Sequence, residues 1–210
     1  MKIEERIELK NGSYKIIEKI QDKHHEGTIR SVGYYNYKNE LHREDGPAYI
    51  IYDFITKYKS IFCEKYYING KIHRENGPAF ITYYANGDIK NETHYINGEC
   101  HKEDGPAVIK YNTKGDIECQ EYRLNNECHR EDGPAIINKG NKYYSINGNF
   151  MTSTYYKYRD ELNLRKIKLC NDIDKLKIFK IICLENKNSK YEELLTEIET
   201  KIITLKLANV

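Results

Sequence analysis

The sequence predicts a mainly β protein with a helical end: an elongated antiparallel β-hairpin or meander repeat array followed by a C-terminal α-helical hairpin. Three observations predict it. The cluster HREDGPA at His42–Ala48 recurs as HRENGPA at His73–Ala79, HKEDGPA at His101–Ala107 and HREDGPA at His129–Ala135. Asn-Gly pairs between alternating strand signals punctuate the units. From Met151 to Val210 glycine and proline vanish, and leucine, isoleucine and lysine take over at helical spacing.

Residues 1–33 read as a degenerate N-terminal repeat or cap. His24-His25 lies there, outside the repeat register, and reads as a solvated loop. Residues 34–158 form the β-repeat array. Its histidines fall at 42, 73, 101 and 129, intervals of 31, 28 and 28, and all four prolines of the chain belong to the GPA element. Each unit carries a first strand with Ala79, Ile81 and Tyr83, or Ala107, Ile109 and Tyr111, on one face, because alternate residues share a side. A turn follows at Asn86-Gly87 or Lys114-Gly115. The second strand ends in Tyr67-Ile68-Asn69-Gly70 or Tyr95-Ile96-Asn97-Gly98, where Asn-Gly suits a type I′ turn with φ > 0 at both central residues. Asn125-Asn126 holds that place in the third unit and still tolerates the left-handed conformation.

The cluster divides into two halves. In Asp-Gly-Pro-Ala the aspartate is expected to bond its own turn backbone, the glycine to take a left-handed conformation, and the proline to open the next strand. Asn76 replaces the aspartate in one copy, an exchange a catalytic carboxylate would not survive. The other half is unbroken in type: His42, Arg43, Glu44; His73, Arg74, Glu75; His101, Lys102, Glu103; His129, Arg130, Glu131. A turn does not need these types. They form either a ladder of bonds between repeats or a stripe that binds a long or anionic ligand.

No metal or cofactor is expected. Equivalent residues two strands apart lie roughly 9–10 Å from each other, whereas zinc holds its ligands at about 2.0–2.3 Å. Cys100 and Cys128 stand where other copies have Leu41 and Ile72, and Cys63 and Cys119 stand where the middle copy has Asn91, so these read as small buried apolar side chains. The six cysteines form no CxxC pair and read as reduced thiols. Without a GxGxxG, P-loop, GxSxG or HExxH motif, no catalytic residue is assigned and an enzyme is not expected.

Residues 159–210 read as the helical hairpin. Asp172–Leu184 places Ile173, Leu176, Phe179 and Cys183 at helical spacing. Ser189 and Glu192 form a capping box, ahead of a stripe of Tyr191, Leu194, Leu195, Ile198, Ile202 and Leu205. The hairpin is expected to cap the β array or to dock a partner.

The net charge of +2, with both signs mixed, gives no field to draw nucleic acid, and no apolar run is long enough for a membrane span or signal peptide. An intracellular, cytoplasmic protein is expected. Twenty tyrosines and no tryptophan suit strands. The abundance of Lys, Asn, Ile and Tyr points to an AT-rich genome.

The pattern YxING-x-x-HREDGPAxIxYxxNG, over residues 34–150, resembles the MORN-type repeat variants found in tandem in proteins of large amoeba-infecting DNA viruses, phages and some bacteria. The resemblance implies a viral protein, placed in the host cytoplasm, and an array acting in protein–protein contact or scaffolding with no catalytic residues. The expected function is a non-enzymatic scaffold that binds another protein through an extended sheet face, with Tyr67 and Tyr95 as anchors. Two alternatives stand beside it. One is a binder of small anions such as nucleotides through the His-Arg/Lys-Glu stripe. The other is a structural component that self-assembles through its sheet ends or C-terminal helices.

Overall fold

The computed structural model describes residues 2–20, 27–53, 60–158, 167–168, 170–185 and 189–208. His24-His25 lies outside them. Within them the chain builds a twelve-stranded antiparallel meander. It opens with β1 (Lys2–Glu8), β2 (Tyr14–Ile20) and β3 (Thr28–Tyr35). Four pairs follow along the sheet: β4 (Tyr49–Tyr52) with β5 (Ile61–Lys65), β8 (Phe80–Tyr83) with β9 (Ile89–Thr93), β12 (Val108–Tyr111) with β13 (Ile117–Glu121), and β16 (Ile136–Asn138) with β17 (Asn141–Ile146). The short β18 (Asn149–Met151) closes the order. Between the pairs the chain leaves the sheet in small hairpins: β6 (Tyr67–Ile68) with β7 (Lys71–Ile72), β10 (Tyr95–Ile96) with β11 (Glu99–Cys100), and β14 (Arg123–Leu124) with β15 (Glu127–Cys128).

The two kinds of turn have different chemistry. In the small hairpins both central residues take positive φ, as at Asn69 (47°) and Gly70 (76°) or Asn125 (49°) and Asn126 (72°). That is the type I′ geometry, whose twist matches the strands on either side. At Asn86-Gly87 only the glycine is left-handed (φ 91°), and the β8–β9 register shifts at Thr82/Tyr83. Here a longer, three-residue turn, closed by the Tyr84 N–H donating to the Asp88 carbonyl, is combined with a bulge.

Apart from Tyr14, Val32 and Ile81, the buried apolar side chains described in the array are small. Ala48, Ala79, Ala107 and Ala135 have no exposed surface, and Cys63, Cys100, Cys119 and Cys128 are buried beside them. Burial pushes the Cys100 thiol up to about 11, as befits a packed thiol rather than a nucleophile.

Contacts divide the chain into two units, residues 1–149 and 150–210, nine residues before the expected change at 158. The second unit starts earlier because Ser153–Tyr158 already forms a short helix, α1. The hairpin itself is α2 (Ile173–Glu185) and α3 (Ser189–Ala208). Asp172 begins α2 by accepting the N–H groups of Asp174 and Lys175 at 3.0 Å, the bonds of an N-cap. The sequence had not shown this cap; the Ser189 side chain, the expected cap of α3, lies outside the described residues. Leu176, Phe179, Ile182 and Cys183 of α2 pack with Tyr191, Leu194 and Ile198 of α3 and with Ile167 in one apolar core.

Candidate functional site

The four clusters fold as four equivalent joints between successive repeats. In each, the backbone N–H of an asparagine in the following turn meets the histidine Nδ1: Asn69 at His42 (3.2 Å), Asn97 at His73 (3.1 Å), Asn125 at His101 (3.3 Å) and Asn147 at His129 (3.2 Å); at His101 and His129 the side-chain Oδ1 of the same asparagine is closer to Nδ1, at 2.8 and 2.7 Å. The donor is a left-handed turn asparagine whose N–H the short hairpin leaves over. The same joint carries two backbone bonds. Arg43, Arg74, Lys102 and Arg130 donate their N–H to the carbonyls of Tyr67, Tyr95, Arg123 and Ser145. Gly70, Gly98, Asn126 and Gly148 donate back to Leu41, Ile72, Cys100 and Cys128.

The basic side chain of each cluster lies inward over a partner eight or nine residues earlier. The guanidinium of Arg43 stacks 4.2 Å above the Tyr34 ring, and those of Arg74 and Arg130 stack 3.9 Å above Tyr66 and Tyr122. The other face of the guanidinium meets the cluster glycine. A Cβ added at Gly46, Gly77 or Gly133 would come within 3.1, 3.3 or 3.0 Å of the guanidinium carbon. This corrects the expected role of that glycine at two of the joints: Gly46 and Gly133 do not have positive φ, and there the absent Cβ leaves room for the guanidinium beside it. Gly77 and Gly105 keep the positive φ expected of them, 136° and 123°, a region that side chains other than glycine rarely adopt.

The aspartate has a partner beyond its own turn backbone. Asp45 and Asp132 accept from Arg43 Nε and Arg130 Nε at 2.7 Å. These bonds hold both carboxyl groups below the usual carboxylate range. With Asn76 in that place, Arg74 donates to the Pro78 carbonyl at 3.1 Å. The third joint changes both partners: Lys102 Nζ lies 3.3 Å from Nε2 of His94, which occupies the tyrosine position. Burial, then the Lys102 charge, lowers the His94 pKa. The ring at this position was missed in the sequence, although its signal was there. Tyr34, Tyr66, His94 and Tyr122 change type in step with Arg43, Arg74, Lys102 and Arg130.

The third member of the cluster faces outward. Glu44, Glu75, Glu103 and Glu131 side chains are 75–84% exposed, while the four histidines are only 14–23% exposed. Each glutamate carboxylate stands 3.8–4.0 Å from its own histidine Nε2. Between the third and fourth loops lies an open cleft of about 490 Å³, lined by Lys102, Glu103, Tyr122, His129, Arg130 and Glu131 among others. No group of three or more metal-ligating side chains occurs among the described residues.

Tyr67 and Tyr95 are half-buried beside the joints. On the sheet, Tyr83 and Tyr111 donate to Glu64 and Glu92 on adjoining strands at 2.8 Å. Burial and then the Glu92 acceptor push the Tyr111 phenol up to about 12. No protein-family model matches the chain, and neither the curated proteins nor the solved structures contain a match. No helix among the described residues is long and apolar enough to cross a membrane.

Proposed function

We propose that the chain is a non-catalytic repeat scaffold whose array of joints presents one regular face to a partner protein. The observation that carries this reading is the division of labour within the cluster. Histidine and the basic residue are turned inward and engaged at every joint, and the glutamate is turned outward at every joint. A face set by backbone bonds loses little conformational freedom on binding. Its carboxylates, repeated every two strands or roughly 9–10 Å, match a partner surface rich in Lys and Arg. The resemblance to MORN-type arrays supports the same reading.

The anion-binding alternative asks the basic residues to reach a ligand. Three of the four cations are instead covered on one face by tyrosine and on the other by glycine. A phosphate would also meet the outer glutamates first, so this reading is the weaker one.

The test compares the natural chain with a variant in which Glu44, Glu75, Glu103 and Glu131 are all changed to Gln. Both are used as affinity baits in extract from the source cells, followed by mass spectrometry. The expected result is a basic partner recovered by the natural chain and lost from the variant, with circular dichroism unchanged. Equal recovery of every partner by both baits would overturn the reading.

A further inference from the structure

Among the described residues the sheet ends at β1, whose seven residues stand in unbroken register against β2, from Lys2 opposite Ile20 to Glu8 opposite Tyr14. The outer side of such a strand presents backbone N–H and C=O groups ready to pair. Natural edges are usually blocked by proline, a bulge, brevity or repelling charge. β1 has no proline, and the bulge lies one strand further in, at Glu18/Lys19 between β2 and β3. At its other end the sheet stops at β18, which has only three residues.

The charges of β1 have a particular order. A two-fold axis through Glu5 in an antiparallel pair of β1 strands sets Ile3 against Ile7 and Glu4 against Arg6, each contact made twice. Ile3 is 41% exposed, an apolar side chain such a pairing would cover. Arg6, lying 3.7 Å above the Tyr14 ring and bonded to Glu8, is held on the face it shares with Glu4. The single like-charge contact falls at Glu5. That carboxylate is already bonded to Lys19 at 2.7 Å, which holds its pKa down. In the pair, two Glu5 side chains would alternate with two Lys19 ammonium groups, so the repulsion is offset. Pairing β1 with β18 would use fewer than half as many residues and would not close. The isologous pair uses the whole strand and closes as a dimer.

We infer that β1 is a self-recognition edge, through which two copies of the chain join their sheets antiparallel with Glu4 of each opposite Arg6 of the other. This is separate from the partner face of the joints, and it stands or falls without that reading.

The test is the mass of the full chain by light scattering and sedimentation over a concentration series. The natural chain is expected at twice its 24.9 kDa. Glu4→Arg and Arg6→Glu each place like charges at two symmetric contacts and should weaken the dimer at least about tenfold. The double variant restores opposite charges in this register alone and should dimerise again. Circular dichroism checks folding, since Arg6 also rests on Tyr14. If R6E fails to fold, E4R decides by itself. A natural chain that stays monomeric up to about 1 mM, an E4R dimer as tight as the natural one, or a folded double variant that stays monomeric would each overturn the inference.

Discussion

The array and the helical unit solve the problem of a small core in opposite ways. The helical unit buries large side chains: Ile167, Leu176, Phe179, Ile182 and Ile198 are all at most 1% exposed. Among the described residues of the array the fully covered side chains are four alanines and two serines. Hydrophobic stabilisation scales with the apolar area removed from water, so alanine contributes little of it. What replaces it is repetition: at each joint a histidine bond and two backbone bonds between repeats, and at three of the four a stacked cation. Stability there is a sum of near-neighbour terms along the chain, not a property of one centre.

This difference predicts unequal responses to the same kind of damage. Phe179→Ala removes the largest fully buried side chain of the helical core and should cost about 3–5 kcal/mol. Denaturant unfolding followed by the helical circular dichroism signal measures it. A loss below about 1 kcal/mol would mean that this core does not hold the helices. In the array the vulnerable change is enlargement. Ala107→Val adds two methyl carbons where there is no exposed surface and should cost about 1–3 kcal/mol by overpacking. If the melting temperature were unchanged, the alanine layer would have slack that its burial denies.

A smaller effect isolates one joint. His73→Ala leaves the Asn97 N–H without its acceptor, at a cost of about 1 kcal/mol. Hydrogen exchange at Asn97 should quicken while the Asn69 amide, held by His42, stays protected. Equal quickening at both would show that the joints are not separable units.

What was legible in the sequence follows the range of the interactions. Asn69-Gly70 and Asn97-Gly98 could be read because a turn is decided by neighbouring residues. Ala79 and Ile81 could be assigned to one face because alternation is local. The helical stripe from Tyr191 to Ile198 was legible because its period is short. The histidine gave only half its meaning. Its presence in every copy was visible, but its partner is a backbone N–H 24 residues away at His73, and backbone groups leave no trace in residue type. Gly46 was misread because turn chemistry is the usual reason for glycine, and nothing local announces a guanidinium lying across it. The paired change of His94 with Lys102 was legible in principle, but only to a comparison of repeats position by position.

That third joint offers the finest test of the array. His94→Tyr together with Lys102→Arg would give it the stacked pair of the other three, adding up to about 1 kcal/mol. Each single change should give less than half the gain of the double, since the ring and the cation act together. The same variant separates a pH effect. The His94 pKa is lowered in the fold, so below its ordinary value of 6.5 the unfolded chain takes up the proton first. The stability this neutral histidine contributes is present above 6.5 and is lost as pH falls through its folded value. The natural chain should therefore lose more melting temperature than the double variant on going from about pH 7 to about pH 5. Parallel loss in the two would show that the fold does not hold the His94 pKa below its ordinary value.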